Sequence, residues 1–364
     1  MKPRVAVVLA TLLAAAGCSG GKEAKPKPEL EASSIVVGFP NDLHGASAEL
    51  SNGAKIAVRE VNSSGGIGGK VRIRLLVRDT RGEPQRAAAV ARGLIAQGAR
   101  ALVLPCAAAS QRAIAQAARG RGVILLGTCD ADPSLPLRTP LYWSAGMGAN
   151  LEAAELAVYA QKQGYRRIAV TAADDELGRT LRRFLVEAAP VHSLQIVPLG
   201  AHPDAVVSVL SDRAAVRLLR RLRRRHEDEP VLGTSRLESA RLRHARVADG
   251  TIFTTYGYPD PGYGTDVFYE TYRSYYGHRP GTSASALGYV AIHVLDQAID
   301  AADSTEPRLV AAAFHGLDLD SALGHVSYGR SGGRNPRVKV ALVKVTDGRF
   351  VLIGKDAPRA VPHA

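Results

Sequence analysis

Cysteine is scarce: three residues in a chain of 364 leave room for one disulfide. Aromatic residues make up only 5%, too few to suggest the stacking platforms on which single-stranded nucleic acids lie. Acids are in deficit, with 34 Asp and Glu against 47 Lys and Arg, for a formal charge of +13. Such a surplus suits nucleic acid, an anionic membrane face or an anionic ligand, or simply solubilises the surface. Catalytic signatures are missing too. There is no Gly-x-Ser-x-Gly elbow, no His-Glu-x-x-His pair and no Walker loop. The ten histidines are scattered without ligand-like spacing, so neither a metal nor a cofactor is expected. Gly65-Gly66-Ile67-Gly68-Gly69 follows a helix and precedes a strand, the wrong order for a dinucleotide loop. Asp318 and Asp320 read as a surface loop rather than a carboxylate pair. An enzyme is not expected.

What is present begins at the N-terminus. Lys2 and Arg4 precede an apolar run from Val5 to Ala16, then Gly17-Cys18-Ser19-Gly20. A basic start, a short apolar stretch and small residues before a break make an export signal. The run is shorter than the roughly 20 residues that span a bilayer, and no later apolar run is long enough either. Ala15-Ala16-Gly17-Cys18 resembles a bacterial lipobox, which implies cleavage after residue 17 and lipid on Cys18. Residues 18–34, rich in Gly, Lys, Pro and Glu, cannot bury a core and read as a flexible tether. An exported protein seldom meets nucleic acid. The densest basic run, Leu218 to Arg225, spaces Leu218, Leu219 and Leu222 as an amphipathic helix with a solvated basic face. Cys106 and Cys129 remain as an even pair in an oxidising compartment.

From residue 35 strand and helix signals alternate. Ile35–Phe39 reads as a strand, Gly53–Val61 as a helix and Val71–Leu75 as a strand. Glu83–Gln97 reads as a helix, Ala101–Leu104 as a strand, Ser110–Arg119 as a helix and Val123–Leu126 as a strand. A second series runs from Leu151 to Thr255, followed by helices over Asp266–Tyr276 and Ala286–Ala301 and a closing hairpin around Asp347-Gly348. The regular alternation predicts parallel sheets flanked by helices. Cys106 and Cys129 would then end neighbouring strands, close enough for a disulfide.

Several segments carry a resemblance to a known family. They are GAKIAVREVNSSGGIGG over 53–69, DTRGEP over 79–84, Pro105-Cys106 to Ser110-Gln111 and DDELG over 174–178. Tyr275-Tyr276-Gly277 to Pro280, Gly288-Tyr289 and Asp347-Gly348 complete the set. In order and spacing the chain resembles the type I periplasmic binding proteins that serve branched-chain amino-acid ABC transporters. The resemblance implies two Rossmann-like α/β lobes with parallel sheets, joined by three crossing hinge segments. Mapped here, lobe 1 is 35–147 and 257–334, lobe 2 is 148–256 and 335–356, and 357–364 is a tail. The hinges fall near 143–148, 254–261 and 329–336. Between Val197 and Ala205 the chain is shorter than the family pattern, so a helix of lobe 2 is expected to be missing or reduced.

The resemblance also implies where ligand binds: in the cleft, with hydroxyls on two lobe-1 loops for a carboxylate and a lobe-2 acid for an ammonium. Here those positions carry Ala107 beside Ala108, then about Ala131, and about Ser235; an aromatic position is about Ala284 and another is Leu177. An ammonium in a partly buried cleft without a carboxylate is costly, so a free branched-chain amino acid is not expected unless Asp130, Asp132, Asp174 or Asp175 substitutes. The candidate contacts are Asp42, His44, Ala107, Ala108, Ser110, Cys129, Asp130, Asp174, Ser235 and Tyr256. Thr128, Asp175, Arg236 and Tyr258 lie nearby. Each has a plainer reading. His44 suits a surface position, Ser110 a helix N-cap, Asp174-Asp175 a helix cap, Asp130 and Asp132 a turn, and Tyr256 and Tyr258 simple packing. The expected protein is a monomeric, lipid-anchored extracytoplasmic receptor that hands a small polar or organic ligand to ABC permease subunits. The alternative is a sensing or scaffolding lipoprotein of the same fold.

Lipid on Cys18 has a direct test. Two or more acyl chains hold a protein stably on a membrane where one does not. Cys18→Ala is therefore expected to release the protein from membranes or to block its processing. Intact-mass data on membrane-extracted protein with an unmodified Cys18, or with cleavage elsewhere, would overturn the assignment.

Overall fold

The computed structural model describes residues 34–259, 264–329 and 334–363. The export signal, Cys18 and nearly all of the tether lie outside these residues, as do parts of the second and third hinge segments. The first sheet is built from β1 (Ser34–Asn41), β2 (Arg72–Asp79), β3 (Ala99–Leu104), β4 (Ile124–Gly127) and β5 (Tyr142–Ser144), all parallel, in the order β2-β1-β3-β4-β5. Between them run α1 (Gly45–Ser63), α2 (Pro84–Ala96), α3 (Ala108–Ala118) and the single turn α4 (Leu135–Arg138). The chain then crosses into α5 (Ala149–Lys162), β6 (Arg167–Ala172), α6 (Glu176–Val191), β7 (Gln195–Ile196) and β8 (Ala205–Val209). It continues through α7 (Asp212–Arg224), β9 (Val231–Gly233), α8 (Ala240–Arg243) and β10 (Ile252–Thr255).

A second crossing returns it to the first lobe as α9 (Gly264–Tyr276), α10 (Ser285–Ala302), α11 (Pro307–Ala313) and the hairpin β11 (Asp318–Ser321) and β12 (Gly324–Ser327). A third crossing delivers β13 (Val340–Thr346) and β14 (Arg349–Asp356) to the second sheet, whose order is β14-β13-β10-β9-β8-β6-β7. That sheet is parallel except for β13 and β14, which pair antiparallel. The result is the two-lobed α/β architecture with three crossings that the alternation and the resemblance imply.

Each sheet is covered on both faces, which is why its strands read as short continuous apolar runs. In lobe 1, α1, α9 and α10 cover one face, and α2 and α3 the other. In lobe 2, α5 and α6 cover one face and α7 the other. The α1–α10 contact is close enough to require glycine. A Cβ on Gly53 would lie 2.2 Å from the Ser285 carbonyl oxygen, and one on Gly288 would lie 2.0 Å from that of Leu50. Two of the family-like segments thus mark one backbone-to-backbone contact. At the first crossing Trp143 stacks on Phe314, with ring centroids 4.7 Å apart.

Some expectations need correction. α1 begins at Gly45, well before Gly53, because Leu50 also turns into the core. Ser110 is not an N-cap: α3 starts at Ala108, its N-cap is Ala107, and Ser110 is buried inside the first turn. Asp318 and Asp320 do not sit in a loop but on β11, flanking His325 of β12 at 3.0 and 3.2 Å. The short α11 escapes periodicity and is set instead by Pro307 in its first turn and by the Glu306 carboxylate, which accepts from the Leu309 amide at 2.9 Å. The shortened stretch after Val197 holds only one 3-10 turn, Leu199–Ala201, where a helix would complete the alternation. Arg167 ties down that turn by donating to the carbonyls of Ala201 and His202. The basic helix α7 buries Leu218, Leu219 and Leu222 and exposes Arg217, Arg220, Arg221 and Arg224.

Cys106 and Cys129 are joined by a disulfide, with Cα atoms 4.7 Å apart and 23 residues of sequence separation. Closing a loop of that size stabilises by roughly 3 kcal/mol in the chain-entropy account. The double variant Cys106→Ser/Cys129→Ser is expected to lose about that much in denaturant unfolding. Two free thiols titrated in unfolded, unreduced protein would contradict the bond.

Candidate functional site

Both sheets reverse their strand order, between β1 and β3 in lobe 1 and between β6 and β8 in lobe 2. Ligands of open α/β sheets bind beyond the carboxyl ends of the strands at such points. The loops after β1, β3 and β4 on one side, and after β6, β8 and β9 on the other, therefore frame the candidate site.

In lobe 1, Asp42 and His44 follow β1 and meet Asp79 at the end of β2. His44 Nδ1 lies 2.9 Å from Asp42 Oδ1 and 4.0 Å from Asp79 Oδ1, and the imidazole is mostly exposed. One atom from each of the three lies within 4.8 Å of the others, a spacing that could bracket a cation. The local bonding disfavours one. Asp79 Oδ1 accepts from the Leu43 and Arg81 amides, Asp42 Oδ1 accepts from the His44 amide, and the positive end of α1 begins at the next residue. Ala107 is exposed, whereas Ala108 and Ser110 are buried in the start of α3. The disulfide ties the loop of Ala107 to that of Cys129. Thr128 is not available to a ligand, because its hydroxyl donates to the Leu104 carbonyl at 2.7 Å. Asp132 holds a turn by accepting from the Ser134 hydroxyl at 2.6 Å. Asp130 does not: it is buried, with one oxygen 3.4 Å from the Tyr142 hydroxyl and the other without a partner among the described residues. Burial pushes its carboxyl up to about 7.

In lobe 2, Asp174 is solvent-facing and pairs with Arg179 at 2.7 Å. Asp175 caps α6 by accepting from the Gly178 amide at 2.7 Å. It also takes two bonds from Arg236, at 2.8 and 2.6 Å, which hold its carboxyl down at about 2. Arg236 is thereby committed within its own lobe. Ser235 is committed as well. Its amide and hydroxyl both donate to Glu152, at 2.5 and 3.2 Å, and Thr254 of the hinge strand donates to the same carboxylate at 2.8 Å. Tyr256 is held in this group beside Ser235, and burial raises its hydroxyl, with Glu152 adding to the effect. Tyr258 is half-buried against the lobe-2 core and donates to the Phe350 carbonyl at 3.0 Å.

Four functional-looking residues had no sequence signal strong enough to single them out. Glu152 lies on the inner side of α5, and burial raises its carboxyl against three donors. Glu238 lies three residues beyond Ser235 and reaches across to lobe 1. It accepts from the Ser283 amide at 2.7 Å, the Ser283 hydroxyl at 2.6 Å and the Thr255 hydroxyl at 2.8 Å. On α3, Arg112 forms a second bond between the lobes with Glu176 of α6. The one available hint was position: Ser283 lies just before α10, where the family-like pattern carries an aromatic residue near Ala284. The arrangement as a whole sequesters and aligns polar groups between two closing walls.

A family model described as periplasmic binding protein matches residues 34–349. The chain belongs to that family. No curated protein matches it. Among solved structures it is similar to a leucine-binding protein from Thermotoga maritima, with 22% identity, TM-score 0.76, and coverage of 90% of this chain and 99% of that one. It is also similar to an ABC-transporter solute-binding protein from Rhodopseudomonas palustris in complex with 3,4-dihydroxybenzoic acid, with 18% identity, TM-score 0.77, and coverage of 91% and 99%. A branched-chain amino-acid binding protein from Streptococcus pneumoniae in complex with isoleucine matches at 18% identity and TM-score 0.73, over 91% of this chain and all of that one. At these identities the likeness is one of fold.

The buried acids predict a pH dependence. Burial raises Asp130 to about 7, and it raises Glu155 of α5, whose oxygens lack partners among the described residues, also to about 7. Unfolded carboxyls ionise near 4. Between those values the folded state holds protons that the unfolded chain has released. The stability these protons confer is full below about pH 4 and is lost as pH rises through 7. Asp130→Asn/Glu155→Gln is therefore expected to gain on the wild type by roughly 2–5 kcal/mol between pH 5 and pH 7.5, the lower end reflecting solvent screening at Glu155. Urea midpoints across that range would measure it, and a pH-independent difference would contradict it.

Proposed function

We propose that this periplasmic binding protein is the lipid-anchored solute receptor of an ABC importer. It captures a small polar or organic ligand between its lobes, outside the cytoplasm, and presents it to permease subunits. The ligand is not a free branched-chain amino acid. The observation that carries this reading is the occupied state of the expected clamp. Ala107 and Ala131 offer no hydroxyl, Thr128 donates to backbone, and both donors of Ser235 face Glu152. A ligand carboxylate would meet no free hydroxyl pair there and would lie near the buried acids Asp130 and Glu152 instead. The solved neighbours hold ligands as different as isoleucine and a dihydroxybenzoate, so the fold leaves the ligand open. The reading also assigns Asp42, His44, Ala108, Ser110, Asp174 and Tyr256 to the walls of the cleft.

A second reading, a sensing or scaffolding lipoprotein, draws on one observation. The lobes are held together by the chain's own groups, Glu238 on Ser283 and Arg112 on Glu176. A protein that closes on itself has less need of ligand to present a closed face.

Calorimetry with leucine, isoleucine and valine tests the main reading. Each hydrogen bond lost to a charged group costs roughly 1.5–3 kcal/mol, so these ligands are expected to bind weakly or not at all. A dissociation constant tighter than about 10 μM, near −7 kcal/mol, would show that the cleft holds amino acids by a clamp other than the one mapped.

A further inference from the structure

A cavity lies on the flank of the hinge, beside the Glu238–Ser283 contact. Its volume is about 350 Å³ and both lobes line it. Lobe 2 contributes Arg243 at the end of α8, His244, and Arg349 with Phe350 at the start of β14. Tyr258 and Pro259 of the hinge, with Tyr269 and Pro280 of lobe 1, form the facing wall. A volume of this order, mostly apolar walls and a few convergent charges are the general attributes of a small-molecule site.

The charges in it are not equivalent. Glu238 faces the cavity but its carboxylate is committed to Ser283 and Thr255. Arg279 is neutralised by Glu270 and Asp266. Arg243 and Arg349 are left, both exposed and without an ion pair among the described residues. Arg243 lies with its guanidinium 5.9 Å from the centre of the Phe350 ring. Phe350 is in turn fixed by a 5.0 Å edge contact with Phe253 and by the Tyr258 hydroxyl on its carbonyl. Two uncommitted arginines and flat aromatic and proline surfaces in one lining suit a carboxylate carried on an apolar body.

We infer that this crevice is a second binding site, separate from the cleft, for a small organic anion of the aromatic monocarboxylate class. The carboxylate sits on Arg243 and Arg349 and the ring lies between Phe350 and the Tyr258–Tyr269 wall. The inference does not depend on what the cleft binds.

Calorimetric titration with benzoate, benzamide and inorganic phosphate tests it on the mature soluble chain. Benzoate is expected to bind, with benzamide and phosphate weaker by about tenfold or more, since one lacks the charge and the other the ring. Arg243→Ala/Arg349→Ala is expected to weaken benzoate by about tenfold or more, while the charge-matched control Arg220→Ala/Arg224→Ala on α7 leaves it within about twofold. Arg349→Gln alone, a milder change at an exposed position, should give an intermediate loss. No benzoate binding, equal binding of benzamide, or benzoate affinity retained in Arg243→Ala/Arg349→Ala would each overturn the site.

Discussion

The geometry of the cleft depends on one carboxylate. Glu238, carried on the loop after β9, joins three parts of the molecule at once: the Ser283 amide and hydroxyl of lobe 1, and the Thr255 hydroxyl of the hinge strand. Ser283 lies just ahead of α10, so the carboxylate sits near the positive end of a helix of 18 residues, where negative charge is favoured. Burial raises the carboxyl and its donors oppose that rise. A buried acid with its donors removed is strongly unfavourable. The angle between the lobes is therefore tied to whether these donors stay in place. On the other flank Arg112 and Glu176 make a more exposed pair, which counts for less in water.

Glu152 does for the floor of the cleft what Glu238 does for its side. It fixes the Ser235 loop to the hinge strand through Thr254. Both glutamates take donors that would otherwise be offered to a ligand. The same bonds that order the site occupy the Ser235 and Thr254 donors, which face Glu152 rather than open space. The crevice on the hinge flank combines Glu238 with two arginines, Arg243 and Arg349, that have no ion pair among the described residues.

Most of the fold was legible in the sequence. Short apolar strands alternating with amphipathic helices can be satisfied only by parallel sheets covered on both faces, and Gly53 and Gly288 mark where two helices touch. What was not legible lacked periodicity: α11 and the β11–β12 hairpin carry a proline, a cap and a histidine set between two aspartates rather than an apolar stripe. The candidate site was legible in outline only. Asp175, Ser235 and the cysteine pair fall where expected relative to the strand ends. Glu152 and Glu238 were missed because an acid on a helix or in a polar loop looks like ordinary surface until the fold turns it inward. Ser110 was misread for a related reason. A serine near a helix start suggests a cap, and only the actual start at Ala108 shows that its side chain is buried.

The central claim is that direct bonds between the lobes set their angle. Spin labels on cysteines placed at Arg119 of lobe 1 and Arg182 of lobe 2, with the Cys106–Cys129 bond kept oxidised, would report that angle as a distance distribution. The account predicts a short-distance population in the unliganded protein that shrinks sharply, in favour of longer distances, in Glu238→Ala/Arg112→Ala. The same distribution in both proteins would contradict it.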